Sequence, residues 1–160
     1  MTYPSEGNLR RAIAFAATLG IGVAAYIAIA DAAGDAPACL AGGGGCATVA
    51  ESSHSHVAGV NIAILGVIGY ALLLASAFFA SDIARFGGFV VALGGFGYSV
   101  YLTVLEIWVI EAICQWCVAS AVLMTILFAL NAARLIGHAG RDGPDRPAAR
   151  RRPEDRPTPA

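Results

Sequence analysis

Residues 112–133 read AICQWCVASAVLMTILFALNAA, 22 positions without a charged side chain, headed by a Cys-x-x-Cys pair at Cys114 and Cys117. At about 1.5 Å per helical residue, such a run crosses the ~30 Å hydrocarbon layer of a bilayer. Three further stretches have the same character: Ala12–Ala30, Val57–Ala80 and Phe86–Leu105, of 19, 24 and 20 residues. With 58% hydrophobic and 13% charged residues over 160 positions, the chain is too apolar for a soluble domain of its length. The expected fold is all-α: an integral membrane four-helix bundle with a cysteine-containing loop outside the cytoplasm. The first run begins at Arg10-Arg11 and ends on Ala28-Ile29-Ala30, which resembles a secretory signal. Its apolar length exceeds the usual signal core of roughly 7–15 residues, so it is read as a span.

Charge sets the orientation. All ten Lys/Arg positions are arginine. Arg10 and Arg11 precede the first run, Arg85 lies between the second and third, Arg134 ends the fourth, and the remaining six fill the chain beyond it. Alternating spans place all of them on one face. The opposite face carries Asp31, Asp35, Glu51, Glu106 and Glu111 instead. The positive-inside rule puts the arginine face and both termini in the cytoplasm. The net charge of −1 conceals this asymmetry.

Residues 1–137 are therefore expected to form the membrane domain. Residues 138–160 have a different composition, with five of the seven prolines, six arginines and no apolar period, and are expected to form a disordered cytoplasmic tail. Its arginines read as a topology anchor, and no nucleic-acid partner is expected. Small residues at Gly66, Gly69, Gly87, Gly88, Gly94, Gly95 and Gly97 suit close helix packing. Tyr101, Trp108 and Trp116 fall where an interfacial aromatic belt is expected.

The orientation leaves all four cysteines outside, in a compartment where disulfides persist. Cys114 falls in the first turn of the fourth span, where unpaired N–H groups and the helix dipole favour a thiolate. Cys117 lies one turn deeper on the same face, at a depth a lipid-soluble ligand reaches. Cys39 and Cys46 bracket Leu40-Ala41 and four consecutive glycines, a tether rather than a rigid staple. One pair at a helix start and one on a flexible loop suit a relay of thiol–disulfide exchange. Inert disulfides are the plainer alternative for each pair. Cys39, Cys46, His54 and His56 also make a zinc set conceivable, but C-x6-C followed by H-x-H is no common zinc spacing, and no metal is expected. Ser52 and Ser53 stand where a hydroxyl caps a short helix or braces the loop. Glu106 and Glu111 flank the pair as interfacial acids or as carriers of the protons that thiol oxidation releases.

A loop cysteine pair followed by a serine, then GVNIAILGVIGY at 59–70, then Cys-x-x-Cys opening the last apolar run, resembles the bacterial homologues of vitamin K epoxide reductase, over roughly Arg10 to Arg134. The resemblance implies a quinone-linked thiol–disulfide oxidoreductase that generates disulfides in the bacterial plasma membrane. Carried over residue by residue, it makes Cys39 the cysteine that meets a thioredoxin-fold partner and Cys46 the one that attacks the helix pair. Cys114 receives that attack, and Cys117 faces a quinone of menaquinone, ubiquinone or vitamin K type. Ser52 falls at the family's loop serine or threonine. Asn61 stands where bacterial members usually have proline, and would offer a hydrogen bond to a quinone carbonyl. Many bacterial members also carry a fused thioredoxin-like domain, which this sequence lacks, so a separate extracytoplasmic partner is expected. The unrelated DsbB-type quinone reductases place their two cysteine pairs in the reverse order. A non-enzymatic membrane scaffold or metal-binding module with structural disulfides is the alternative.

Overall fold

The computed structural model describes residues 5–39, 44–52, 56–57 and 60–139. Gly42, Gly43, Ser53, His54 and the arginine-rich stretch beyond 139 lie outside them. The element order is α1 (Glu6–Ala32), α2 (Gly45–Ala50), β1 (His56–Val57), β2 (Val60–Asn61), α3 (Ile62–Phe78), α4 (Asp82–Leu105), a π-helical turn (Glu106–Ile110) and α5 (Gln115–Ala139). The described residues are all-α apart from the antiparallel pair of β1 and β2, in which His56 faces Asn61.

Among the described residues three helical segments, 6–32, 82–110 and 115–138, are long and apolar enough to cross a membrane, and α3 is a shorter apolar helix of 17 residues. The second apolar run had been expected to become helical from Val57, but the helix starts at Ile62. Val57 and Val60 before it are extended and paired, a distinction that hydropathy does not carry. Asn61 fixes the helix start: its side-chain oxygen accepts from the Ala63 N–H at 2.7 Å. That is a helix N-cap satisfying an otherwise unpaired donor.

α1 packs on α3 and α5, and α4 packs on α5 and α3. Ile13, Ala17, Leu73, Ala92 and Leu127 are fully enclosed between them. Gly20 is the closest approach. A Cβ there would overlap the ring of Tyr70, which is itself buried and donates its hydroxyl to the Ser120 carbonyl at 2.9 Å.

At one end of the bundle the arginines do more than mark orientation. Arg85, expected between spans, sits inside the first turn of α4 and is buried, bonded to Glu6 at 2.9 Å and Asp82 at 2.6 Å. Arg134 is buried as well, 3.5 Å from Glu6. Arg10 donates to the carbonyls of Ala77 and Phe78, and Arg134 to those of Ser76 and Phe79. A helix leaves its last carbonyls without internal partners. Here two guanidiniums from α1 and α5 bind the end of α3, tying three helices together where the chain turns.

Candidate functional site

The cysteines gather at the opposite end. Cys39 and Cys46 are joined by a disulfide with Cα atoms 5.9 Å apart, while Cys114 and Cys117 are free thiols. Cys46 lies in α2 and is 1% exposed. The helix carrying it presses on the segment leading to Cys114: a Cβ on Gly45 would meet the carbonyl of Ile113. Ser52 donates its hydroxyl to the Val49 carbonyl at 2.7 Å, closing the end of α2. This brings Ser52 to the site as a brace on the helix that holds Cys46.

Cys114 stands one residue ahead of α5 rather than within its first turn. Its carbonyl accepts the Val118 N–H at 3.0 Å, so it occupies the N-cap position. Its sulfur accepts from the Cys117 thiol and from the backbone N–H groups of Cys117 and Trp116, which together hold the Cys114 thiol down at about 7 although burial pushes it up. Donors converging on one sulfur favour its thiolate, the form that attacks and leaves in disulfide exchange.

The path into this cap is unusual. After α4 the backbone widens into the π-turn, then reverses at Glu111, whose φ of 53° is left-handed. Ala112 N–H returns to the Glu106 carbonyl at 3.2 Å. The two acids that the sequence leaves equivalent are thereby separated. Glu111 is exposed on the turn, whereas Glu106 is 5% exposed and accepts from the Cys114 N–H at 3.2 Å. A signal for Glu106 exists in the sequence: Gly95, Ser99, Leu102 and Glu106 recur at spacings of four, three and four, one face of α4, and all line the cavity described below.

Trp116 was expected in an aromatic belt, and it also ties the two cysteine segments together. Its Nε1–H donates to the Ala38 carbonyl at 2.9 Å, and its ring lies 4.9 Å from that of Tyr26. Tyr26 in turn accepts the Ala38 N–H at 3.0 Å. The peptide before Cys39 is thus held on both its donor and acceptor sides, one from α1 and one from between the two sulfurs of the helix pair.

Cys46, Cys114 and Cys117 open onto one cavity of about 400 Å³ between α1, α3, α4 and α5. Its walls are mostly aliphatic, with a minority of polar groups, among them Ser52, Asn61, Tyr70, Glu106 and Ser120. Size and lining suit a small apolar molecule with few polar atoms. The oxygen of Asn61 is engaged in the helix cap, which leaves its amide nitrogen as the donor the side chain can offer. Among the described residues no group of three or more His, Cys, Asp or Glu is placed to hold a metal ion. His54 and the side chain of His56 lie outside that description.

A redox-type cysteine pair at a helix cap, a second pair packed against it and an apolar cavity between long membrane-type helices are the features a family comparison must explain. The model of the vitamin K epoxide reductase family matches residues 11–132. The chain belongs to that family. No curated protein matches it individually. Membership in the vitamin K epoxide reductase family, with the apolar helices, makes this a membrane oxidoreductase acting in disulfide chemistry. The matched segment contains all four cysteines and the residues lining the cavity, and from the arginine end Asp82 and Arg85.

Proposed function

We propose that the chain is a quinone-dependent thiol oxidoreductase that makes disulfides for exported proteins. The observation that carries the reading is the shared cavity: one sulfur of the loop disulfide and both sulfurs of the helix pair line a single apolar space. Four spans, with α3 as the second, hold the cysteines outside a bacterial plasma membrane and both termini inside. Residues 1–137 act as the catalytic membrane domain and 138–160 as a cytoplasmic tail.

A thiolate of a separate thioredoxin-fold partner attacks Cys39, breaking the Cys39–Cys46 bond and releasing Cys46 as thiolate. The partner's second thiol then closes its own disulfide and frees Cys39. Cys46 next attacks Cys114 of an oxidised Cys114–Cys117 pair, and Cys117 leaves as thiolate. Attack by Cys39 on Cys46 restores the loop disulfide and frees Cys114. The result is the arrangement described above, with the loop oxidised and the helix pair reduced. A quinone, when bound, supplies a two-electron acceptor. The cavity wall would hold its ring, Asn61 would offer a donor to a ring oxygen, and Cys117 would face it. Ser52 keeps Cys46 in place.

The test is a thiol titration of the purified, fully reduced chain before and after a short-chain quinone is added. Loss of the Cys114 and Cys117 thiols, read by mass-tagged alkylation, supports the reading. An unchanged thiol count leaves the structural-disulfide alternative standing. In the exchange branch, a thioredoxin-fold partner lacking its second thiol is expected to attack the Cys39–Cys46 bond and accumulate a reducible adduct on Cys39, which Cys39→Ala abolishes. An adduct formed through Cys114 instead would overturn the proposed order.

A further inference from the structure

Glu106 is the one buried carboxylate at the redox pair. It is 5% exposed, at the first residue of the π-turn, a distortion often found at functional sites. Its carboxylate accepts from the Cys114 backbone N–H at 3.2 Å, and the Cys117 thiol, whose one proton can turn to the Cys114 sulfur or to this carboxylate, lies beside it in the same cavity. Burying a carboxylate costs heavily unless hydrogen bonds or a counter-charge compensate. No arginine, lysine or histidine is among the described residues lining the cavity. The other titratable groups there are Asp31 from α1, Tyr70 from α3, Tyr98 from α4 and the two thiols, with Cys46 of α2 closed in its disulfide. What surrounds Glu106 is therefore the redox pair itself, and the Ala112 N–H fixes its backbone carbonyl. A residue needed only to brace Cys114 would not have to be an acid, because a glutamine accepts the same N–H bond.

We propose that Glu106 is a catalytic residue that takes the proton of Cys117 as the Cys114–Cys117 bond forms, and delivers it to a quinone oxygen. The inference rests on the reading of this pair as the quinone-reducing one. Starting from the Cys114 thiolate and the Cys117 thiol, closing the S–S bond releases two electrons and one proton. Both electrons go to the quinone, and the proton goes from Cys117 Sγ to a Glu106 carboxylate oxygen. Glu106 then gives that proton to one quinone oxygen and becomes ionised again. Water at the cavity mouth supplies the second proton, which completes the quinol. Without Glu106, the Cys117 proton would have to pass to hydroxyl groups of the cavity or to water at its mouth, which are weaker bases than a carboxylate.

The experiment compares infrared spectra of dithiol and disulfide forms in the full chain carrying Cys39→Ala and Cys46→Ala, without quinone. Ferricyanide serves as oxidant, since it accepts electrons but no protons. The oxidised form should gain one protonated-carboxyl band, absent in E106Q and shifted in E106D. No band in the parent chain, or the same band in E106Q, overturns the proposal. In single-turnover quinone reduction, E106Q should be slowed about a hundredfold near neutral pH, within the usual range for a lost proton-transfer group, and recover as hydroxide rises. Thermal melting checks that E106Q keeps the fold its retained N–H bond predicts. An E106Q chain with the parent rate and pH profile overturns the proposal even if the band is lost. A parent chain that gains the band yet leaves quinone unreduced overturns the quinone reading while the Cys117-to-Glu106 proton transfer stands.

Discussion

The peptide of Ala38 is held by two aromatic side chains, and that contact separates two rates. Trp116→Phe keeps the ring against Tyr26 but removes the N–H donated to the Ala38 carbonyl, and Tyr26→Phe removes the hydroxyl that accepts the Ala38 N–H. Each deletion removes one hydrogen bond, about 0.5–1.5 kcal/mol of loop docking. Transfer from the loop pair to the helix pair should slow severalfold, while quinone reduction by a chemically reduced helix pair should stay at the parent rate. Stopped-flow measurement of the two steps checks this, and equal losses in both would show the ring to be a general packing element. The Cys114 thiolate has its own signature. In a reduced chain lacking Cys39 and Cys46, ultraviolet thiolate absorbance should titrate at about 7. Cys117→Ala removes the largest stabilising donor, so the titration should move upward, toward the ~8.5 of a free thiol. At this scale the four sulfurs were legible as a chemical unit because spacing and compartment suffice. The roles of Trp116 and Glu106 were legible only as alternatives, Glu106 as one of two candidate proton carriers, because an indole near an interface and an acid near a helix end have ordinary roles there. Only the reversal at Glu111 turns them toward the sulfurs.

Helices carry a different kind of information, and two glycines of α1 show it. A Cβ on Gly20 would run into the Tyr70 ring, held on its far side by Ser120, whereas a Cβ on Gly22 has nothing within 4 Å. Gly20→Ala should therefore destabilise the bundle by about 1–3 kcal/mol through overpacking. Gly22→Ala should be neutral or slightly stabilising, since alanine is the better helix former by about 1 kcal/mol. Thermal melting in one detergent decides it, and equal effects would mean that Tyr70 can move aside. Asn61 permits a similar separation of roles. Asn61→Ala should cost about 1 kcal/mol as a lost cap, and Asn61→Asp should restore the cap. If the amide also binds quinone, Asn61→Asp should recover melting temperature yet keep a raised KM for quinone; recovery of both would confine Asn61 to capping. The number of apolar runs and their approximate places could be read from hydropathy. Their ends could not, because the local β1–β2 pairing is invisible to hydropathy and the Arg85 turn is settled by Glu6, a partner distant in the chain.

Seen whole, the molecule has two unlike poles. At one, Arg10, Arg85 and Arg134 bind Glu6, Asp82 and the carbonyls that end α3; at the other lie the cysteines and their cavity. The charge pattern of the sequence already separated these poles, because like charges fall at alternate ends of successive apolar runs. It did not reveal that the basic pole is partly buried and internally bonded, since ion pairing depends on packing. A buried, paired arginine is a weaker topology signal than a free one, so the orientation calls for direct measurement. The cytoplasmic assignment predicts that a membrane-impermeant maleimide, applied to intact cells after mild reduction, labels Cys39, the half-exposed member of the loop pair. A reporter at the exposed turn between α3 and α4, Ala80→Cys in a chain without native cysteines, should label only after the cells are permeabilised. Arg11, exposed on α1, and the arginines beyond 139 should hold that orientation. Replacing Arg10 and Arg134 should instead lower thermal stability, because they bind the end of α3. Labelling of Ala80→Cys from outside, with Cys39 protected, would invert the molecule. The proposed disulfide relay would then face a reducing cytoplasm, where the proposed export of oxidising equivalents could not work.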